Sequence, residues 1–490
     1  MHYLIWLLPA LSVAAAIASA RLSTSGAALL GLALAIPIAM FTGPLPFGGA
    51  AVQLSLSRGL WIGATITPYI LGGLLFWQLA AQPVTAPADE PAPAPTPLAL
   101  RRRIFFACFL VGPFAESATG FGVGMLGTVA LLRGLGFTPR QLMIFALLSQ
   151  TLIPWGGMGS GTLLAAAYAR LPATEVGLYS IIPTALLMPV WLTLFWCTAR
   201  QAGLAAPLGE CLREIGWIVA GLILLTPTTA VLGPETALLA AFGPLIIVRH
   251  LIDQRPDLRQ LRATVRQILP YLLLITALVL TRLLPTLREP LASLGRMAPF
   301  ADLPAWSPFL HAGSWMIAGG FATALLRGQG NRLGSELRSA WQTGQPAIMT
   351  LLLFAMMAEV LSAAGISKAF ADGMFAALKT GSVLATPIVA GVFGILANGS
   401  NAPNSLFMSA QLALALQSGL SVAALVALQH VSGSGMSFFS PVRMTIAASL
   451  AGGQGQERQV YALLLPFAAA GFALLIAMAL AIVAAGTLWG

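Results

Sequence analysis

Charged side chains are scarce in this sequence. They make up 8% of its 490 residues, whereas hydrophobic residues make up 58%. Because a soluble domain carries about 25% charged residues, this composition excludes a soluble enzyme or a soluble binding module. The 25 basic residues outnumber the 15 acidic ones, but they are scattered between apolar runs, whereas a nucleic-acid-binding domain gathers them on one face. The composition predicts a protein of the lipid bilayer with no nucleic-acid partner.

Residues that hold metals and cofactors are rare as well. The three cysteines and four histidines form no CxxC pair and no HExxH motif, and the GxSxG motif is missing too. Gly122, Gly124 and Gly127 have GxGxxG spacing, but they follow an apolar membrane segment rather than a strand. Close helix contact therefore explains them better than a dinucleotide site. We expect a chain that is not an enzyme and that has no catalytic residues, no cofactor and no metal.

Long apolar runs, by contrast, fill the sequence. They predict an all-α polytopic membrane protein with about twelve crossings plus two re-entrant helical hairpins in inverted repeats. The start lacks the basic region of a signal peptide, so we interpret it as a first crossing. The crossings are expected near residues 1–20, 26–41, 50–81, 141–168, 178–198, 216–232, 236–248, 269–284, 308–326, 347–364, 421–450 and 462–488, and the hairpins at 104–132 and 382–418.

The chain divides into five segments. Residues 1–82 hold N-terminal transmembrane helices, 83–103 form a Pro/Ala-rich cytoplasmic linker, 104–250 form a first repeat, 251–343 hold connecting loops and helices, and 344–490 form a second repeat. The proline content of the linker predicts an extended surface loop. The arginines at 101–103 and the five between 249 and 266 mark the cytoplasmic side. With this orientation the two hairpins enter the membrane from opposite faces, as inverted repeats do.

The first hairpin contains a carboxylate and a glycine-rich break. Glu116 lies in an apolar run with no adjacent Lys or Arg, and Gly120 and Gly122 follow it. A lone carboxylate at bilayer depth costs several kcal/mol unless it faces protein or water, and non-helical backbone there must be buried or line a cavity. Glu116 is therefore the first candidate for proton coupling. The alternative is a carboxylate that the amides of the hairpin tip satisfy, with no titrating role.

The second hairpin contains a polar break in the same register. The distance from Ser117 to Ser400 is 283 residues, and so is the distance from Gly136 to Gly419. Corresponding breaks in two halves point to a transporter site near the midplane. The candidate substrate-binding residues of the two breaks are Ser117, Thr119, Gly120, Phe121, Gly122, Asn398, Ser400, Asn401, Asn404 and Ser405. The asparagines and serines could instead cap two half-helices.

Several of these motifs resemble a known family. GPFAESATGFG with LLRGLGF, and ANGSNAPNSLF with SGSGMSFFSP, are similar to the paired signature regions of the bacterial L-lactate permease family, which is grouped with the ion-transporter superfamily. The resemblance implies proton-coupled symport of lactate, glycolate or a similar 2-hydroxymonocarboxylate across the bacterial inner membrane. It matches the family's acidic residue to Glu116 and its GFG to residues 120–122.

The second half departs from the family's pattern at three positions. Asn401 stands where the family usually has an aspartate, Ser437 where it has a lysine, and Arg443 follows shortly after. The resemblance therefore implies a small monocarboxylate more firmly than lactate itself, with Ser440 and Arg443 as further substrate contacts. A sulfonated or larger carboxylate and an anion channel stay open as alternatives, and Arg443 could instead snorkel to lipid headgroups.

Two titratable residues within expected crossings are further candidates for proton coupling. Glu359 lies inside an expected crossing, where it could pair with Lys368 or with His430, or line the translocation path. His430 is expected at the start of the second broken helix, and its alternative role is that of a hydrogen-bonded packing residue. The expected partners of the chain are thus a small organic anion, protons and the lipid bilayer.

Overall fold

The chain folds into helices. Prolines, glycines and capping hydroxyl side chains mark where these helices begin and end. We analysed a computed structural model, which describes residues 2–19, 21–80, 96–120 and 122–489. The β-type pairing in these ranges is one isolated bridge between Met297 and Trp306. The prediction of an all-α polytopic membrane protein is confirmed.

Twenty-one α-helices make up the described ranges. They are α1 Tyr3–Ala18, α2 Thr24–Thr42, α3 Gly49–Ala80, α4 Pro97–Phe106, α5 Gly112–Thr119, α6 Val123–Leu132, α7 Pro139–Leu148, α8 Gly156–Ala169, α9 Ala173–Gln201, α10 Leu208–Leu232, α11 Pro234–Gln254, α12 Leu258–Leu283, α13 Pro285–Ser293, α14 Ala312–Leu326, α15 Leu333–Ala363, α16 Ile366–Leu378, α17 Ala385–Ala397, α18 Asn401–Ser418, α19 Val422–Met436, α20 Pro441–Ala451 and α21 Glu457–Trp489.

Ten helical segments of the described chain are long and apolar enough to cross a membrane, and α7 with α8 makes an eleventh across a bend of 63°. One of the ten, Ile366–Ala397, contains the first arm of the second hairpin. The expected crossings at α1 and α14 are apolar but shorter, with 16 and 15 residues. The sequence-based count of about twelve crossings included α1 and α14. It did not include the segment Ile366–Ala397, so the two counts differ by these three segments.

The linker is shorter at its C-terminal end than the sequence predicts. Residues 81–95 lie outside the described ranges, but 97–103 are helical and not extended. Thr96 caps α4 by accepting a hydrogen bond from the amide of Ala99, and Pro97 occupies the first helical position, where its missing N–H costs nothing. Pro97, the last proline of the run at 83–97, therefore starts a helix. The arginines at 101–103 belong to this helix, α4.

The first hairpin has one long arm and one short arm. A π-helical turn, Ala107–Val111, joins α4 to α5, and α6 runs back beside them. Gly120 has φ 70° and ψ −160°, and Gly122 has φ 84°. Residues with a side chain rarely adopt these backbone angles, so the glycines allow the chain to reverse within three residues and direct the N-terminus of α6 at the break.

The second hairpin reverses in a similar way. Asn398 ends α17 in the left-handed conformation, with φ 60°, and α18 begins at Asn401. Gly394 lies against the backbone of Gly433 in α19, where an added Cβ would overlap the Gly433 carbonyl oxygen. Small residues therefore let the hairpin pack closely on the second broken helix.

Both broken helices contain a short irregular segment. In the first, a 3-10 turn, Ile153–Trp155, separates α7 from α8, and Gly157–Gly159 adopts left-handed backbone angles. In the second, a 3-10 turn, Ser437–Phe439, separates α19 from α20, and Pro441 starts α20. The helices are interrupted at the two places where the sequence predicts broken helices, although His430 lies inside α19 and does not open it.

Three apolar clusters hold the helices together. The largest joins the first hairpin to α7, α9, α11, α19 and α21, and it contains Phe105, Phe145 and Trp191. A second is centred on α3, α14 and α15, and a third on α1, α2 and α15. Helices α2 and α15 thus face the hairpin breaks across the space in which the candidate site lies.

Candidate functional site

All four helix breaks meet at one cavity of about 430 Å³. The hairpin breaks contribute Gly120, Gly122 and residues 398–401. The broken helices contribute Arg443 and five residues of the first broken helix, which are Ile153, Gly156, Gly157, Ser160 and Gly161. The opposite wall is made of the N-terminus of α2 and the middle of α15. Broken helices that converge on a cavity near the middle of a membrane protein form a typical transporter site. The described lining holds two charged side chains, Glu116 and Arg443.

Glu116 is buried at the first break and accepts three hydrogen bonds. Its Oε1 accepts from the amide of Gly122 at 3.3 Å, and its Oε2 accepts from the amide of Gly124 at 3.0 Å and from Nε2 of Gln150 at 3.2 Å. The exposed fraction of Glu116 is 4%. Three donors and no acceptor suit an ionised carboxylate. The tip amides do satisfy Glu116, as the structural alternative required, but Gln150 also connects it to the rest of the site.

Gln150 links the two charged side chains, and the sequence analysis missed it. It lies at the end of α7, where the first broken helix is interrupted, and its exposed fraction is 1%. Its Nε2 donates to Glu116, and its Oε1 accepts from Nη1 of Arg443 at 3.0 Å. Because Arg443 can only donate, the amide has one orientation that satisfies both neighbours. A single glutamine in an apolar run leaves no periodic signal, and its position at a helix break was the sole indication.

Arg443 lies in the first turns of α20 and is 5% exposed. Its Nη1 donates to Gln150, and its Nε donates to Oδ1 of Asn398 at 2.9 Å. Among the described residues nothing bonds its Nη2, so one amino group remains for a ligand. The snorkelling alternative for Arg443 is therefore wrong, because the guanidinium is surrounded by protein and lies at the cavity.

Four polar side chains therefore form one connected chain. It runs from Glu116 through Gln150 and Arg443 to Asn398, and it touches each of the four helix breaks. Buried polar groups are costly unless they are hydrogen-bonded, so this chain fixes the relative positions of the breaks. A change in one member must change the hydrogen bonds of the next.

A second polar cluster lies behind the cavity. His430 contacts Oγ1 of Thr162 through Nε2 at 2.9 Å and Nδ2 of Asn404 through Nδ1 at 3.0 Å. Asn404 also donates to the carbonyl of Gly161 at 3.0 Å. His430 is fully buried and does not line the cavity. The packing alternative for His430 thus fits its surroundings, and Asn404 joins the second hairpin to the first broken helix.

The remaining predicted substrate residues divide into two groups. Ser400 and Asn401 line the cavity together with Gly120, Gly122 and Asn398. Ser400 starts α18 without a side-chain cap. The other predicted hydroxyl residues are buried and do not line the cavity. Ser117 and Thr119 donate within their own helix, Ser440 caps α20, and Ser405 has no hydrogen-bond partner in the described chain. Phe121 lies outside the described residues.

Glu359 has a different partner from those expected. Its Oε2 accepts from Nε of Arg58 at 2.7 Å, and Arg58 also binds both oxygens of Asp302. Lys368 pairs with Asp372, and His430 lies in the cluster just described. The predicted pairs of Glu359 with Lys368 or His430 are therefore wrong. Glu359 is absent from the lining of the site cavity.

A second cavity, of about 540 Å³, lies further along α8, towards its C-terminus. Leu163 and Ala167 line it, whereas Ser160 and Gly161 line the site cavity. Its other walls include Tyr69 and His311. Helix α8 therefore lines both cavities, the site cavity with its N-terminal part and the second cavity with its C-terminal part. No group of three metal-ligating side chains occurs among the described residues.

Comparison with known proteins covers the C-terminal part of this arrangement. Residues 311–486 match the family model described as L-lactate permease. Over 173 residues the chain is 27% identical to an L-lactate permease of Salmonella typhi and 26% identical to one of Escherichia coli strain K12. This stretch is 35% of the chain and 30% of either relative, so the chain matches less than a third of their length. The matches show that part of the chain is similar to L-lactate permeases, and the family-model match at 311–486 contains Asn398 and Arg443 but not Glu116 or Gln150.

Proposed function

We propose that this chain, a divergent member of the L-lactate permease family, is a secondary active transporter that carries a small monocarboxylate together with a proton. The observation that supports this most is the chain of hydrogen bonds from Glu116 through Gln150 to Arg443 at the cavity. It contains one group that can take a proton and one that can bind a carboxylate. The amide between them makes each sensitive to the state of the other.

The carboxylate of the substrate binds Arg443. The free Nη2 of Arg443 provides a charge-assisted hydrogen bond, which is about twice as strong as a neutral one. The N-termini of α6 and α18 lie at the two breaks, and the positive ends of these helices favour an anion nearby. Ser400 and Asn401 supply neutral polar contacts to the rest of the substrate.

Gln150 couples the proton to the substrate. While Glu116 is ionised, Gln150 donates to it and accepts from Arg443. A proton on Oε2 of Glu116 would meet the amide hydrogens of Gln150, so the amide must turn to accept from the new O–H. Its Nε2 then faces Arg443, which cannot accept. Nη1 of Arg443 is thereby released for the substrate, and protonation raises substrate affinity. Because such coupling is reciprocal, bound substrate favours the protonated state of Glu116.

The two cavities along α8 favour a carrier over a channel. A channel needs a continuous path, whereas a carrier keeps its site open to one side at a time. Ser160 and Gly161 of α8 line the site cavity, and Leu163 lines the second cavity. The cavity of about 430 Å³ has room for about fourteen waters at about 30 Å³ each. One lactate molecule needs less space than this. Larger or sulfonated acids are therefore tested beside the small ones.

Purified protein in liposomes tests the proposal. Counterflow of radiolabelled lactate, glycolate, pyruvate and larger or sulfonated acids identifies the substrate class. Uptake of the best substrate is then followed with an inward proton gradient and again after an ionophore collapses it. We expect saturable uptake that needs the gradient. Flux that does not saturate would indicate an anion channel, and absence of counterflow with every acid would contradict a monocarboxylate carrier.

A further inference from the structure

Five polar side chains that line the site cavity have no hydrogen-bond partner among the described residues. Ser160, Ser400 and Asn401 belong to the helix breaks, and Thr24 and Thr343 belong to the opposite wall. Ser400 is the most buried of them, with an exposed fraction of 5%, yet its hydroxyl oxygen is not occluded by neighbouring atoms. These groups are therefore free to bond a molecule in the cavity, and the transport proposal so far uses only Ser400 and Asn401.

The two threonines of the opposite wall differ from most threonines within helices. Thr343, Thr350 and Phe354 follow helical spacing on the face of α15 that lines the cavity. Thr350 donates to the carbonyl of Pro346 at 2.7 Å, which is a common arrangement for a threonine inside a helix. Thr343 makes no such bond, and Thr24 is the first residue of α2, where no earlier turn offers a carbonyl. Both hydroxyl groups can therefore donate to a ligand and accept from it.

The charges of the cavity limit its ligand to a single anionic group. The described lining contains one cation, Arg443, and one carboxylate, Glu116. One carboxylate of a ligand can pair with Arg443, whereas a second carboxylate or a phosphate group would be buried without a partner, which is costly. Apolar lining residues such as Met125 and Phe354 suit the carbon chain of an organic acid. The rest of the ligand is therefore uncharged.

Closure of the cavity makes the free polar groups informative about the substrate. A carrier seals its site from both sides of the membrane during each transport cycle. Polar groups that are sealed in must then be bonded to the substrate or to trapped water. Lactate has a single hydroxyl group besides its carboxylate, so most of these side chains would have no bond to it. A substrate that carries several hydroxyl groups would satisfy them directly.

We propose that the substrate is a polyhydroxylated monocarboxylate of the aldonic-acid type, whose carboxylate binds Arg443 and whose hydroxyl groups bond Thr24 and Thr343 on the opposite wall. Ser160 and Ser400 contact the hydroxyl groups between these two ends. The cavity of about 430 Å³ lies within the range of about 300–1,000 Å³ that is typical of sites enclosing an organic ligand. This inference rests on the proposed transport function and specifies the substrate class of the same site.

Counterflow of the full chain in liposomes tests this substrate class. Radiolabelled gluconate and lactate are the transported probes. Unlabelled hexanoate, which lacks hydroxyl groups, and glucarate, which has a second carboxylate, are the competitors. We expect gluconate to have a lower half-saturating concentration than lactate, and each competitor to bind at least about tenfold more weakly than gluconate, because a site built to bond hydroxyl groups rejects an analogue without them.

The outcomes separate this inference from the transport proposal. Saturable exchange of lactate without exchange of gluconate would overturn the substrate class and leave the carrier function standing. Competition by hexanoate as strong as that of gluconate would also overturn it, because the cavity would then recognise an apolar chain. Absence of counterflow with every acid would contradict the transport function itself.

Matched variants test the opposite wall. Thr343→Val removes a hydroxyl group with little change of shape, and it should raise the half-saturating concentration of gluconate about two- to tenfold, the size of one neutral hydrogen bond. The preference for gluconate over lactate should fall by a similar factor. Thr226→Val removes an exposed threonine of α10 that does not line the cavity and should keep that preference. Thr24→Val tests the same wall independently if Thr343→Val does not fold. An unchanged preference in both wall variants, or an equal loss in Thr226→Val, would overturn the proposal.

Discussion

Replacement of Glu116 by glutamine separates proton coupling from binding. The amide oxygen can take the place of Oε2 and accept from Gly124 and Gln150, while the amide nitrogen replaces Oε1. The variant then loses the 3.3 Å bond from the amide of Gly122. One hydrogen bond contributes about 0.5–1.5 kcal/mol, which is small beside a typical stability of about 5–15 kcal/mol. We expect Glu116→Gln to fold and to keep its contact with Gln150.

The expected transport defect has a defined size. A gradient of one pH unit corresponds to 1.36 kcal/mol, or a factor of about ten in concentration. With one proton per substrate, the unmodified chain should accumulate its substrate about tenfold across that gradient. Glu116→Gln can neither take up nor release a proton at this position, so it should exchange substrate between two pools but reach an accumulation ratio of about one. Proteoliposomes with an imposed pH gradient give the accumulation, and counterflow without a gradient gives the exchange.

Glu359→Gln provides the matched control. Glu359 is also a buried carboxylate in a membrane-spanning helix, but it bonds Arg58 and is absent from the site cavity. This variant should retain proton-driven accumulation. Full accumulation by well-folded Glu116→Gln would refute the proposed coupling. Simultaneous loss of folding, binding and exchange would instead make Glu116 a structural carboxylate.

Three further predictions concern affinity, packing and pH. Arg443→Gln should weaken substrate binding about tenfold or more in counterflow, with little loss of folded protein, because it removes a charge-assisted contact worth about 1.5–3 kcal/mol. Gly394→Ala should lower the unfolding midpoint, since overpacking costs about 1–3 kcal/mol, whereas Gly381→Ala, where an added Cβ meets nothing within 4 Å, should not. Hydrogen bonds from Arg58 lower the pKa of Asp302 from its ordinary value of 3.8 to about 2. The ionised carboxylate therefore stabilises the fold fully above pH 3.8, and this stabilisation is lost as the pH falls towards 2. Asp302→Asn should remove that part of the pH dependence of unfolding.

Each of these predictions has a contradicting result. Unchanged substrate affinity in Arg443→Gln would remove that residue from the site. Equal unfolding midpoints for the two glycine variants would contradict the close packing of α17 on α19. An identical loss of stability between pH 4 and 2 with and without the Asp302 carboxylate would show that Arg58 does not stabilise it.

Local sequence signals were enough to predict most helices and both hairpin breaks. Three signals depend on a few neighbouring residues: long apolar runs, glycines at chain reversals and prolines at helix starts. They can therefore be recognised from the sequence alone. Glu116 and Arg443 could be singled out for the same reason, because a charge within an apolar run requires an explanation.

Partners that are distant in the sequence could not be predicted. Gln150 and Arg443 are 293 residues apart, and Arg58 and Glu359 are 301 apart. Which polar group satisfies another depends on how the helices pack, and no periodic pattern records it. The misassigned partners of Glu359 have this cause. Gln150 escaped notice because a neutral amide in a membrane segment is a weaker signal than a charge.

The pairing of one carboxylate with one guanidinium at the cavity has an electrical consequence. In the proposed transport cycle, the empty site holds an ionised Glu116 and a charged Arg443, so it carries no net charge. The loaded site holds a neutral Glu116, a charged Arg443 and one anion, and it again carries none. The membrane potential performs work of about 2.3 kcal/mol per charge per 100 mV on a moving charge, but here it would act on neither state. A carrier built in this way would be electroneutral: a potassium diffusion potential alone should not drive accumulation, and transport should follow the pH difference independently of the voltage.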